Sequence, residues 1–312
     1  MVRGQHAAGA VSQTQPVPST ATSPAATLRV AVTQWNPGTD VAANLDVAQS
    51  LIRAAGAQGA DLVLLPENGL MLSEAAEMRQ AALRENGTEI DTLRAAAEHA
   101  QCTVVVGGTK LIDDSGVMHN SALVVDAHGQ LCGRYDKIHL FDARVDDASF
   151  EASRVETPGQ VPVMLRIRGW SIGISICYDI RFPELYRTLA RAGADLFLVP
   201  AAFLASTGKA HWETLLRARA IENGAFVVAS ATVSDDHAPR AFPTHGHAMI
   251  VNPWGEILAN LHEEAPAVSV VDIAHEKVTA ARYALPVLEQ IRPNAYTAEI
   301  DVLNPSRGED PS

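Results

Sequence analysis

Three side chains in this sequence combine reactive types with suggestive settings: a thiol, a carboxylate and an ammonium, each closing its own apolar run. Cys177 follows Trp170-Ser-Ile-Gly-Ile-Ser-Ile176 and precedes Tyr178-Asp-Ile-Arg-Phe-Pro-Glu-Leu185. The β-branched run reads as a strand buried on both faces. Pro183 suits the first turn of a helix. A cysteine at such a junction meets free backbone N–H groups, which favour its thiolate; the plainer alternative is a buried core cysteine. Glu67 follows the apolar run Asp61-Leu-Val-Leu-Leu-Pro66. Partly desolvated there, its pKa could rise toward that of a useful base, although an ordinary loop glutamate fits the sequence equally well. Lys137 ends Arg134-Tyr-Asp-Lys137 and precedes Ile-His-Leu-Phe141. Its ammonium could stabilise an oxyanion or depress a thiol pKa; a lysine that snorkels to solvent is the alternative. Taken together, the set has the logic of covalent catalysis with a positioned base and an electrostatic stabiliser.

The elements that must hold these groups follow from periodicity. Leu28–Trp35, Asp61–Pro66 and Cys102–Gly108 read as strands. Between them, Asp40–Ala57 and Glu89–Ala100 read as amphipathic helices, the first with Leu45, Ala48, Ile52 and Ala55 on one face. His119–Asp126 and Leu131–Lys137 form a hairpin, and Val161–Ile167 with Trp170–Cys177 form a second. Ile138-His-Leu-Phe-Asp142 then leads into a polar loop reaching about Gly159. A helix runs to about Ala192, then the strand Asp195–Pro200, a loop Ala201–Ala210 and a helix His211–Asn223. Phe226–Thr232, Gly246–Asn252, Glu256–Leu261 and Val268–Asp272 are further strands, and Ala274–Ala284 is a short helix. Hairpins mix with crossover units, so one α/β domain over 28–300 is expected, as a mixed sheet or two packed sheets with helices outside. Residues 1–27 and 301–312 read as disordered tails.

At this level the chain resembles the nitrilase superfamily of carbon–nitrogen hydrolases. The resemblance rests on Leu-Leu-Pro-Glu67, Lys137-Ile-His-Leu-Phe-Asp142 and Ile-Cys177-Tyr-Asp-Ile-Arg-Phe-Pro-Glu-Leu185. Supporting stretches are Thr207-Gly-Lys-Ala-His-Trp-Glu213, the following Leu215-to-Asn223 run, and Gly246-His-Ala-Met-Ile-Val-Asn-Pro-Trp-Gly255. It looks most like the branch holding omega-amidases and deaminated-glutathione amidases. The resemblance implies an α-β-β-α sandwich that pairs with a second copy as a homodimer or higher homo-oligomer. It implies Glu67 as general base, Lys137 as oxyanion donor, Cys177 as nucleophile and the backbone N–H of Tyr178 as second oxyanion donor. Many members carry a second glutamate in an aromatic-x-Glu-Ser pattern; here Phe150-Glu151-Ala152-Ser153 puts the acid one place early. A small loop shift could bring Glu151 in, or it is a surface charge. Arg181 and Thr207 are candidate substrate contacts, with a structural pairing of Arg181 to Glu184 as its alternative.

Composition excludes several other classes. With 36 acidic and 24 basic side chains the formal charge is −12, which argues against nucleic acid or an anionic membrane. No apolar run is long enough to span a bilayer, and residues 1–27 lack a signal-peptide core. The three cysteines suggest no disulfide scaffold, which fits a reduced, cytoplasmic protein. Cys102 and Cys132 read as core thiols. His245 and His247 alternate in a strand but lack a third metal ligand, and no cofactor motif is present. The expected activity is hydrolysis of a small linear carboxylic-acid amide without cofactor. Nitrile or N-carbamoyl hydrolysis is the rival within the enzyme class, and a non-catalytic scaffold of the same fold is the rival outside it.

Overall fold

The computed structural model describes residues 23–145, 147–234 and 242–302. Most of both expected tails lies outside these residues. Within them, Ala25 donates to Arg168 O and accepts from Trp170 Nε1, so chain order begins slightly before Leu28.

The first part of the chain runs β1 (Thr27–Trp35), α1 (Val41–Ala57), β2 (Leu62–Leu64), α2 (Ala75–Gln80), α3 (Thr88–Ala100), β3 (Thr103–Ile112), β4 (Met118–Val125) and β5 (Leu131–Asp136). A small hairpin follows, β6 (Asp142–Val145) and β7 (Ala148–Glu151). Then come β8 (Val163–Ile167), β9 (Trp170–Ile174), α4 (Pro183–Arg191), β10 (Leu196–Leu198), α5 (Ala205–Asn223), β11 (Phe226–Ala229) and β12 (Ala231–Thr232). The last elements are β13 (Met249–Val251), β14 (Ile257–Asn260), β15 (Ala267–Ala274), α6 (His275–Ala284) and α7 (Pro293–Tyr296).

One sheet has the order β12-β1-β2-β3-β4-β5, with β15 also on β1; the other is β14-β13-β11-β10-β9-β8. The parallel cores, β1-β2-β3 and β9-β10-β11, are the segments that alternate with helices. Alternation across each strand decides the layers. Val30, Val32, Leu62 and Leu64 of the first sheet meet Ile172, Ile174 and Leu198 of the second in one core. Ala31, Val63 and Val104 face the other way, onto Leu45, Ile52, Ile90 and Leu93 of α1 and α3. With α4 and α5 on the far side of the second sheet, the layers are helix, sheet, sheet, helix: the expected α-β-β-α sandwich. Each fully buried Val, Leu or Ile contributes about 1.5–3 kcal/mol, so both cores weigh on stability. The helix ends are fixed locally; Asp40 caps α1 by accepting from Ala42 N at 2.9 Å and Ala43 N at 3.2 Å.

Five expectations need correcting, the first being that Cys132, expected as a core thiol, is exposed on β5. The stretch from Asp142 to Gly159 is not all loop, because β6 and β7 pair there. Strand β3 runs on to Ile112, with a register irregularity between Val106 and Thr109 at the two glycines. Helix α5 starts at Ala205 rather than His211, absorbing Gly208, whose missing side chain makes room for the His245 ring. A 3-10 turn over Cys177–Arg181 separates strand β9 from α4, so the cysteine does not adjoin a helix directly.

Candidate active site

Glu67 leaves the first sheet just after β2, and Cys177 leaves the second just after β9. Both sit beyond the carboxyl ends of parallel strands, where an open α/β sheet gathers ligands. Packing the sheets face to face brings the two strand ends together. Lys137 arrives from the end of β5, with its N–H on Asn120 O at 2.8 Å and its carbonyl accepting from Gly159 N at 2.9 Å. The three residues that the sequence singled out line one cavity of about 270 Å³.

Lys137 Nζ donates to Glu67 Oε1 at 2.7 Å, with both side chains 4% exposed. Asn120 Nδ2 donates to the same oxygen at 2.9 Å, and Ala202 N donates to Oε2 at 2.9 Å. Every bond to this carboxylate therefore favours its charged form. Burial pushes the Glu67 pKa up, but the Lys137 charge and then Lys110 outweigh it and hold the group at about 2. That corrects the expectation of a raised pKa. Burial opposes the Lys137 ammonium too, yet Glu67 beside it raises its pKa overall. Cys177 moves the other way: burial and the Glu67 charge push its thiol up, against the opposing pull of Lys137. The favoured resting state is thiol, carboxylate and ammonium.

The anticipated help from free N–H groups fails at Cys177 itself, since its own N–H donates to Pro200 O at 2.9 Å. Its backbone is left-handed, φ 48°, a conformation that a non-glycine residue adopts only when its surroundings impose it. Asp179 imposes it. This fully buried carboxylate accepts from Ile176 N at 2.8 Å, Tyr135 Oη at 2.8 Å and His139 N at 3.0 Å, and His139 Nδ1 lies 2.7 Å away. It ties the Cys177 turn to the strand end that carries Lys137. The Tyr178 N–H opens the same 3-10 turn, where the first N–H groups have no intrahelical acceptor.

The other candidates fall elsewhere. Glu151 lies on β7 at the cavity mouth, its side chain 46% exposed and 2.8 Å from Arg154 Nε. Glu156 is the acid buried in the wall, with its Oε1 2.6 Å from Lys110 Nζ. Arg181 stacks over the Phe203 ring at 4.9 Å and bonds His211 Nδ1 at 3.2 Å, rather than pairing with Glu184. Thr207 turns its hydroxyl to Leu204 O at 3.4 Å in the first turn of α5. Neither Arg181 nor Thr207 is among the described residues that line the cavity. Among the described residues no cluster of three or more His, Cys, Asp or Glu could hold a metal.

Sequence reasoning missed Asn120, Asp179 and the Lys110–Glu156 pair. Gly107-Gly108 held one available signal. A Cβ on Gly108 would lie 2.4 Å from Asn120 Oδ1 and 3.1 Å from Glu67 Cγ, so this strand must be bare where it passes the carboxylate.

Chemically, the arrangement offers a nucleophile, a base that can receive its proton, and two donors for a developing oxyanion. The model of the carbon–nitrogen hydrolase family matches residues 29–283. The chain is 41% identical over 252 residues to a deaminated glutathione amidase of Synechocystis, covering 79% of this chain and 91% of that one. It is 34% identical over 274 residues to the human omega-amidase NIT2, covering 87% and 98%. Among solved structures, an amidase from Nesterenkonia sp. AN1 with the acetamide moiety of fluoroacetamide added covalently at its active-site cysteine superposes with a TM-score of 0.72. It is 26% identical, over 88% of this chain and 98% of that one.

Proposed function

The chain belongs to the carbon–nitrogen hydrolase family, and from that premise we propose that it hydrolyses a small linear carboxylic-acid amide through a thioester on Cys177. One observation carries the reading: the Glu67–Lys137 pair, 2.7 Å apart, lines the same cavity as Cys177. In this reading the sulfur attacks the amide carbon while its proton passes to Glu67. The carbonyl oxygen gains negative charge, which Lys137 Nζ and the Tyr178 N–H receive. As Lys137 turns toward that oxygen it loosens its hold on Glu67, and the carboxylate becomes a better base when the proton arrives. The C–N bond then breaks, and Glu67 returns the proton to the leaving nitrogen, giving ammonia. A water enters, loses its proton to Glu67 and attacks the thioester. The acid departs, and the thiol is restored. No step calls for a cofactor.

The omega-amidase relative's name points to an amide at the end of a chain. The cavity suits such a molecule, with charged groups on the floor and Phe141 and Phe150 at the side. Quenching turnover and locating the acyl group by mass spectrometry tests the reading. The adduct is expected on the peptide holding Cys177; an adduct on Cys102 or Cys132 would sink it.

A cytoplasmic location is part of the same proposal: all three cysteines are free, as a reducing compartment would leave them. No helix among the described residues is long and apolar enough to cross a membrane. Self-association in pairs remains part of the proposal; on α5, Trp212 and Leu216 are buried in the chain's own core, and Leu215 packs partly against it, so this helix face is not free to make the contact. The exposed Ile221, Trp254 and Leu285 line one surface hollow and are the better candidates for that contact. A monomeric mass in solution at micromolar concentration would refute it.

A further inference from the structure

The chemistry assigned to Glu67, Lys137 and Cys177 leaves a second ion pair in the same cavity unexplained. Lys110 comes from β3 just beyond Gly107-Gly108, and Glu156 follows the short 3-10 turn after β7. Their Nζ and Oε1 lie 2.6 Å apart, with side chains 10% and 6% exposed. The glutamate is not adrift: its own N–H donates to Ala152 O at 2.9 Å, and that of Thr157 donates to Met118 O at 2.7 Å. A buried ion pair recovers its desolvation cost only when its remaining hydrogen-bonding capacity is filled. An ammonium has three N–H donors, and Glu156 is the only acceptor bonded to this one among the described residues. Asn68 lines the cavity as well. It is 9% exposed, its side-chain amide makes no hydrogen bond among the described residues, and its buried Oδ1 stands unpartnered.

Spare ammonium N–H groups beside an uncommitted amide, which can turn its NH2 toward a ligand, form a donor set for a carboxylate. We propose that Lys110, held by Glu156 and flanked by Asn68, receives the carboxylate at the far end of a short linear amide. This rests on the amide-hydrolase reading of Cys177 and deepens it by assigning the group that selects the substrate. Glu156 is a positioning residue: it fixes Lys110 and does not itself touch the carboxylate. Phe141 and Phe150 flank the intervening methylenes. An ammonium in that place would sit against Lys110, with each buried carboxylate already matched to a lysine. Arg181, the obvious rival, is committed to Phe203 and His211.

The test compares three amides of equal length on the full chain: succinamate, butyramide and 3-aminopropanamide, ending in carboxylate, methyl and ammonium. Ammonia release gives kcat/KM for each. The wild type is expected to favour succinamate over butyramide by roughly 10- to 100-fold, the worth of a charged hydrogen-bond partner, and to turn over 3-aminopropanamide least. The double variant Lys110→Met/Glu156→Gln removes both charges without stranding either. It should collapse that preference mainly through the KM for succinamate. Asn68→Ala leaves the ion pair intact and should lower the preference severalfold, so the inference stays testable if the double variant does not fold. Retention of the preference in folded variants, its loss in Arg181→Met instead, or a wild-type preference for 3-aminopropanamide each overturns the assignment. Hydrolysis of none of the three, with Cys177 no faster than Cys132 toward iodoacetamide, would instead bring down the amide-hydrolase reading and this inference with it.

Discussion

The floor and the rim of the cavity are built in opposite ways. On the floor, Glu67, Asn120, Lys137 and Cys177 are at most 9% exposed, and each is anchored to a strand or strand end of the two large sheets. Glu67 has a donor on each oxygen, and Asp179 stitches the Cys177 turn to the Lys137 segment. The rim is the β6–β7 hairpin, a two-stranded sheet that among the described residues pairs only with itself. A lone hairpin is marginal in water. This one leans on aromatic contacts instead, with Phe141 and Phe150 ring centroids 5.0 Å apart and Phe150 and Phe242 centroids 5.7 Å apart. A charge moved by an ångström loses much of its effect on a transition state, whereas an apolar wall can adapt to its ligand. In the proposed reaction, reactivity therefore belongs to the floor, and shape discrimination to the rim.

That division predicts steeply graded effects. Cys177→Ala should abolish ammonia release while the melting temperature stays close to wild type, because it removes one sulfur from the cavity wall. Measurable turnover in that variant would break the comparison at its centre. Lys137→Met comes next, with kcat lowered roughly 10²-fold or more, as when an oxyanion donor is lost. The same change strands Glu67 as a buried charge with only Lys110 nearby, and losing one partner of such a pair typically costs about 3–5 kcal/mol. Denaturant midpoints and kcat should thus fall together. A variant that lost activity at full stability would show that the pair does not hold the floor.

The third expected effect concerns acid. Glu67 is held at about 2 in the folded chain, against an ordinary 4.5. Between those values the unfolded chain binds a proton that the folded chain refuses. The stabilisation is fully present above about pH 4.5 and drains away as the pH falls toward 2. Melting temperature should therefore fall with pH in this window less steeply for Glu67→Gln than for wild type. Equal slopes would mean that the ion pair is not formed in the folded state.

Much of the floor was legible because its residues terminate long apolar runs, and a strand end is visible in sequence. Cys177, Glu67 and Lys137 each follow such a run, and the sheets that carry them follow from alternation and crossover spacing. What was not legible depends on how two strand ends meet. The Glu67 pKa could not be signed before Lys137 was seen against it, because burial and a neighbouring cation push in opposite directions. Asp179 looked like one polar residue in a turn until its partners, Tyr135 and His139, came from a distant strand end. The rim failed for another reason: β6 and β7 are four residues each, half of them polar and most of them exposed, so they carry almost no periodic signal.

The smallest expected effect is the sharpest test of the boundary between floor and rim. Glu151 sits at the place where a second glutamate was anticipated, one residue early, with Ala152 in the matching slot. Its carboxylate is 46% exposed and already paired with Arg154 three residues on, a surface pair of the kind worth about 0–1 kcal/mol. Water screens it from Lys137, whose raised pKa draws instead on Glu67, Cys177 and Glu156. Glu151→Gln should accordingly change kcat by less than about twofold, since removing an exposed charge alters a buried ion pair little. Any change should appear in KM for charged amides, because the residue stands at the mouth through which they enter. If Glu151→Gln instead lowered kcat as far as Lys137→Met, the hairpin would have to close onto the floor during turnover. The rim would then be part of the catalytic machinery and not only its selective wall.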